Sequence, residues 1–171
     1  MRGVALNKDN NNNLRIIVRT LNRRTIMGTK DLCLRLLKNM NIEVHEADDR
    51  EDTYYFEYYG EHLSVRMNNK AKFIVLYDTF WKKYPAGNLE MVSLARNAVN
   101  RANIAYNGFK LFYTFVEDTM WIHCNTCELL IPEIPGLEDY FKGTLESFLY
   151  SHKAFDDVMF ELMEEEGKKG Q

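Results

Sequence analysis

The stretch Thr53-Tyr-Tyr-Phe-Glu-Tyr-Tyr-Gly60-Glu-His-Leu-Ser-Val-Arg-Met67 decides the fold. Side chains along a strand alternate between the two faces of a sheet, and aromatic and β-branched residues favour that environment. Residues 53–59 and 62–67 therefore read as two strands of a hairpin around Gly60-Glu61, with glycine at the first loop position. That loop would pair Tyr58 with Leu63, Phe56 with Val65 and Tyr54 with Met67, a wholly apolar face. The opposite face would pair Tyr59 with His62, Glu57 with Ser64 and Tyr55 with Arg66, and reads as the wetter side.

The same arithmetic works outward along the chain. Residues 109–116 and 119–129 form a second hairpin around Glu117-Asp118, ended by Pro132 and Pro135. It places Phe115 beside Met120, Tyr113 beside Ile122 and Leu111 beside Cys124 on the inside. Outside stand Thr114 with Trp121, Phe112 with His123, and Lys110 with Asn125. Residues 72–80, after an Asn68-Asn69 turn, read as a further strand. Thr29 is positioned to cap a short helix carrying Leu32, Leu34, Leu36 and Leu37, and Asn88 to cap one reaching about residue 103. Leu137, Phe141, Leu145, Phe148, Phe155, Met159 and Leu162 make one apolar stripe of a long terminal helix that contains Gly143. The order is α-β-β-β-α-β-β-α. That is an α+β class, an antiparallel sheet with helices mainly on one face, rather than the βαβ alternation of a doubly wound fold.

A chain of 171 residues, 46% apolar and 13% aromatic, suffices for one domain with a real core, placed at residues 27–165. Residues 166–171 read as a polar tail. The net charge of −3 is unevenly spread. Residues 1–26 hold six basic side chains against Asp9 alone, a local charge of +5, and the asparagine run 10–13. They read as a basic, Asn-rich, flexible extension, and the remainder carries −8. No apolar run approaches the roughly 20 residues of a membrane span. Three cysteines are an odd count that favours a reducing compartment, so a soluble cytoplasmic protein is expected.

On the wetter sheet face the parity collects Tyr55, Tyr59, Phe112, Trp121 and His123 among polar neighbours. Aromatics framed by polar groups suit contact with another polypeptide, so these five are the candidate partner-binding residues. Cys124-Asn-Thr-Cys127 has the spacing of a redox pair or half a zinc site. An offset of three along a strand, however, sends the two thiols to opposite faces. A thiol- or metal-dependent enzyme using Cys124, Cys127 and His123 is thus the alternative from another class. His45, His62, His123 and His152 have no metal-ligand spacing, and His152 reads as a histidine at the edge of the core. Asp156-Asp157 and the acidic run 164–166 read as solvated helix surface. Phosphate loops, serine elbows and HExxH are absent from the sequence. No catalytic residue, metal ligand or cofactor is assigned. A sheet surface stacking RNA bases is a further rival; the acidic body and the missing Lys/Arg-Gly-aromatic signature oppose it.

One resemblance adds to this reading. Val99-Asn100-Arg-Ala-Asn103 followed by Gly108-Phe-Lys-Leu-Phe112 resembles the helix-to-hairpin junction of the YbjN-like family, labelled bacterial sensory transduction regulators, whose fold is like that of type III secretion chaperones. Phe56-Glu-Tyr-Tyr-Gly60-Glu with Val65, and the terminal helix with Phe155 near its end, are similar to that family's second-element hairpin and last helix. The likeness spans roughly residues 28–163. It implies a non-enzymatic protein-binding module, chaperone-like or a regulatory adaptor, with a homodimer allowed. It supplies no catalytic residues. Asn100 and Asn103 stand where side-chain amides can satisfy backbone groups.

Overall fold

The computed structural model describes residues 27–169, so the reading of residues 1–26 as a flexible extension lies outside the described residues. Three helices, α1 (Thr29–Asn39), α2 (Leu89–Ala105) and α3 (Leu137–Lys169), accompany six strands. The strands are β1 (Val44–Glu46), β2 (Thr53–Tyr58), β3 (Glu61–Arg66), β4 (Phe73–Pro85), β5 (Lys110–Val116) and β6 (Thr119–Leu129). They form one antiparallel sheet in the order β1-β2-β3-β4-β6-β5. The expected α+β architecture is present, with β1 as an added short edge strand. The last helix continues through residues 166–169, which the sequence reading left as tail. Gly143 lies within it.

Hairpin parity explains the core. Tyr54, Phe56, Tyr58, Leu63, Val65 and Met67 are buried, as are Leu111, Met120, Ile122 and Cys124. With Ile74 and Leu76 they line one face of the sheet. The apolar stripes of all three helices join the same cluster, and Phe141, Phe148 and Phe155 of α3 are almost wholly enclosed. Each such ring contributes about 1.5–3 kcal/mol by leaving water. This helix-covered side is the inner face. Phe115 is a correction: it points inward beside the buried Met120 but is 52% exposed, because it lies on the edge strand of the sheet.

The first hairpin is displaced from its expected pairing. Tyr54 pairs with Val65, Phe56 with Leu63 and Tyr58 with Glu61, so the loop is Tyr59-Gly60 rather than Gly60-Glu61. Both loop residues have positive φ, 51° and 82°, the backbone of a type I′ turn whose twist matches the strands. The partner shift is two residues, which leaves every side chain on its expected face. The second hairpin has the expected register throughout.

Caps follow local chemistry. Asn88 Oδ1 accepts from the Met91 backbone N–H at 3.1 Å, as expected of an N-cap. Gly28, not Thr29, occupies the cap position of α1. The Thr29 hydroxyl instead donates toward the carbonyls of Ala71 and Leu130, tying the helix start to the sheet end.

β4 departs most from its sequence reading. It continues past Phe80 to Pro85 by absorbing a bulge: Asp78 pairs with Cys124, and the next pair is Lys82 with Ile122. Three residues of β4, Thr79 to Trp81, therefore oppose His123 alone. Phe80 adopts φ 64°, a left-handed conformation that is uncommon for a bulky residue.

Candidate functional site

The outer face of the sheet bears the odd-numbered side chains of β2, the even-numbered ones of β5 and their cross-strand neighbours. No buried apolar strand residue belongs to it, and the helices pack on the other side. Tyr55 and Phe73 are 41% and 52% exposed there. Arg66 lies over the Tyr77 ring, its guanidinium carbon 5.8 Å from the centroid. Toward the other end Lys83 Nζ stands 5.3 Å from the Trp121 centroid. Aromatic rings bordered by cations characterise this surface. Its nearby charges include Arg66, Lys83 and Lys110 against Glu57.

The bulge reshapes the centre of that face. Phe80 turns outward and meets Trp121 edge-on at 5.3 Å and His123 edge-on at 4.8 Å. Phe112 stacks on the other side of the His123 ring at 4.9 Å. His123 is therefore only 3% exposed, although it sits on the outer face. This corrects the expectation that His123 is itself a contact residue. Its Nδ1 accepts from the Phe80 backbone N–H at 3.2 Å, which assigns the proton to Nε2, and Nε2–H donates to Thr114 Oγ1 at 2.7 Å. Burial pushes its pKa below the ordinary histidine value, with Asp78 opposing.

Of the other expected contact residues, Tyr55 is open, Trp121 is half-buried beside Phe80 and Lys83, and Phe112 is half-buried against the His123 ring. Tyr59 is 75% exposed but occupies the turn, with its ring 4.5 Å from that of Tyr58. The structure thus divides the five. Phe112, Trp121 and His123 gather with Phe80 on the β4-β6-β5 half of the face, whereas Tyr55 and Tyr59 lie on or beside β2. The sequence reading did not include Phe80. Strand parity would put it inside, and only the bulge brings it out.

Beneath the sheet a polar cluster interrupts the core. Asp78 is buried on the inner face, and His152 Nε2 of α3 donates to its Oδ2 at 2.8 Å. Glu61 Oε1 stands 3.7 Å from Nδ1 of the same ring. Trp81, turned inward by the bulge, stacks on His152 at 4.0 Å and meets Phe155 edge-on at 5.5 Å. Lys82 pairs with Asp156 alongside. His152 is therefore more than a histidine at the core edge. A buried carboxylate needs such a partner to offset lost hydration. The signal for Asp78 was its parity, which puts a charge in line with Ile74 and Leu76.

Among the described residues, Glu61, Asp78 and His152 bring metal-capable atoms within 4.8 Å of one another. The two carboxylates face different nitrogens of one ring, whereas an imidazole ligates through a single nitrogen. The separation of Asp78 from Nε2 fits a shared proton. The arrangement clamps α3 to β4.

The cysteines lie apart. Cys124 is buried on the inner face, where burial pushes its thiol up to about 12 against a smaller opposing pull from the Ser151 hydroxyl. Cys127 is exposed on the outer face. The thiolate is the reactive form, and His123 is engaged by Phe80 and Thr114 on the side away from Cys124. The three residues of the enzyme alternative do not converge.

No helix among the described residues is long and apolar enough to cross a membrane. No known family model matches the chain, and no curated protein does either. Two solved structures share the fold. YbjN of E. coli, a candidate transcription regulator, is similar at 11% identity with a TM-score of 0.53, covering 82% of this chain and 95% of that one. An uncharacterised protein from Methanothermobacter thermautotrophicus is similar at 10% identity with a TM-score of 0.51, covering 80% and 98% respectively. At these identities the likeness is one of architecture, and this chain has the fold of YbjN.

Proposed function

We propose that this protein is a non-enzymatic protein-binding module, a regulator or chaperone-like adaptor of the YbjN-like family, acting in the cytoplasm and needing no cofactor. The observation that carries the reading is the outer face, left uncovered by the described residues, with Tyr55, Phe73 and Phe80 exposed on it. Aromatic side chains supply contact area at little entropic cost and are enriched at interfaces. Arg66, Lys83 and Lys110 border them, so the fitting partner is a polypeptide segment that mixes apolar and acidic residues. The fold likeness to a candidate regulator supports the same class of role.

The test is affinity capture from native lysate with the full chain and with a Tyr55→Ser/Phe80→Gly variant. Glycine suits φ 64° at position 80, so the variant removes rings without straining the backbone. The expected result is a protein retained by the parent chain and lost by the variant. Equal capture by both would refute the role given to this face. Stoichiometric zinc or iron in protein purified without an affinity tag would overturn the cofactor-free form of the proposal.

A further inference from the structure

We infer that two copies of this chain associate through β5, joining their sheets edge to edge in a single antiparallel register. The evidence begins with Asn103. Its side-chain amide donates to the Leu111 carbonyl at 2.9 Å and accepts from the Leu111 N–H at 2.8 Å. Both main-chain groups of Leu111 therefore point away from β6, and Asn103 occupies the place of a neighbouring strand. Main-chain direction alternates along an antiparallel strand, so the N–H and C=O groups of Tyr113 and Phe115 point the same way. β5 is the last strand of the sheet, and among the described residues nothing pairs with those four groups.

Natural edges are usually blunted by lysine, proline or a bulge. The outward-directed positions here are Tyr113 and Phe115, next to Val116, and the latter two are 52% and 46% exposed. Arg96 of α2 reaches over the Tyr113 ring on the inner side, its guanidinium carbon 5.8 Å from the centroid, and leaves the main-chain groups open. The open stretch is bounded on one side by Asn103 and on the other by the turn at Glu117, whose φ is 52°.

Those bounds select the occupant and its register. A two-fold pairing centred on Thr114 places Tyr113 opposite Phe115 of the second copy, and Phe115 opposite its Tyr113. Each pair exchanges two hydrogen bonds, so all four open groups are satisfied by identical groups. A register centred on Tyr113 would need Leu111, which Asn103 already holds. One centred on Phe115 would need Glu117, which has left the strand. The edge is thus complementary to itself, with aromatic pairs across the inner side, and the outer faces of two copies become continuous. The inference stands whatever ligand that face takes.

The register is testable because Thr114 meets its own counterpart in a pair without mutual hydrogen bonds, where Cα atoms lie about 4.5 Å apart. That separation is within disulfide range. In a Cys127→Ser background, Thr114→Cys is expected to form an interchain disulfide under mild oxidation, and Val116→Cys is not. Analytical ultracentrifugation of the full parent chain should show a dimer. Phe115→Pro, which removes only an edge-facing N–H, should weaken that dimer at least about tenfold. In the unmodified protein, amide exchange at Tyr113 and Phe115 should slow with rising concentration, whereas Leu111 is protected throughout. A monomer at all concentrations, or a dimer indifferent to Phe115→Pro with no Thr114→Cys crosslink and no added protection at Tyr113, would overturn the inference.

Discussion

The backbone N–H of Phe80 donates to Nδ1 of His123 at 3.2 Å. The bond links an unusual backbone, φ 64° at the β4 bulge, to a ring that is neutral in the fold. Protonating Nδ1 would break the bond and place a cation between Phe80 and Phe112.

A pH dependence follows. The folded pKa of His123 lies below its unfolded value of about 6.5. Above that value both states are neutral and the histidine contributes no slope. As pH falls below it, the unfolded chain takes up a proton that the folded chain refuses, so stability declines until the folded value is passed. The melting temperature should therefore drop between about pH 7 and pH 5. His123→Asn, which keeps an acceptor for the Phe80 N–H, should drop less. An equal drop in both proteins would contradict this account.

Asp78 and His152 hold β4 against α3. Asp78→Ala leaves the ring beneath Trp81 without its main partner and opens a gap, and should cost about 3–5 kcal/mol in urea unfolding. A loss below about 0.5 kcal/mol, the scale of a surface substitution, would mean that the pair does not stabilise the fold.

The first hairpin turn carries Tyr59 at φ 51° before Gly60 at 82°. Asparagine tolerates that conformation better than tyrosine, and Asn-Gly favours a type I′ turn. Tyr59→Asn should stabilise the protein by about 0.5–1 kcal/mol, less what is lost from the ring contact with Tyr58. Thermal unfolding of the variant reads the sign directly.

Asn103 satisfies both main-chain groups of Leu111. Asn103→Ala should cost about 1–3 kcal/mol, since Leu111 is buried and water reaches its backbone poorly. Amide exchange at Leu111 should quicken more than at Tyr113, a contrast that a general loss of stability would not produce.

Alternation along each strand was enough to assign the two faces. Phe56 and Val65 are inside, and Tyr55 and Phe112 are outside, because a pleated strand leaves a side chain only two directions. The faces survive even where the first hairpin is displaced, since a partner shift of two preserves parity. The three helices and the role of Asn88 were equally local, set by apolar spacing and one short side chain. The bulge was not. Whether β4 spends three residues against His123 depends on what lies on both sides of the sheet. There Trp81 reaches α3 residues 71 and 74 positions away, and Phe80 closes over a histidine 43 positions away. Asp78 and His152 meet across 74 residues for the same reason: a buried charge finds its partner only once helix and sheet have docked. The sequence by itself therefore determined the elements and their faces. Tertiary packing decided that His123 is covered, that Phe80 is exposed in its place, and that the described residues leave the end of β5 open beyond Asn103.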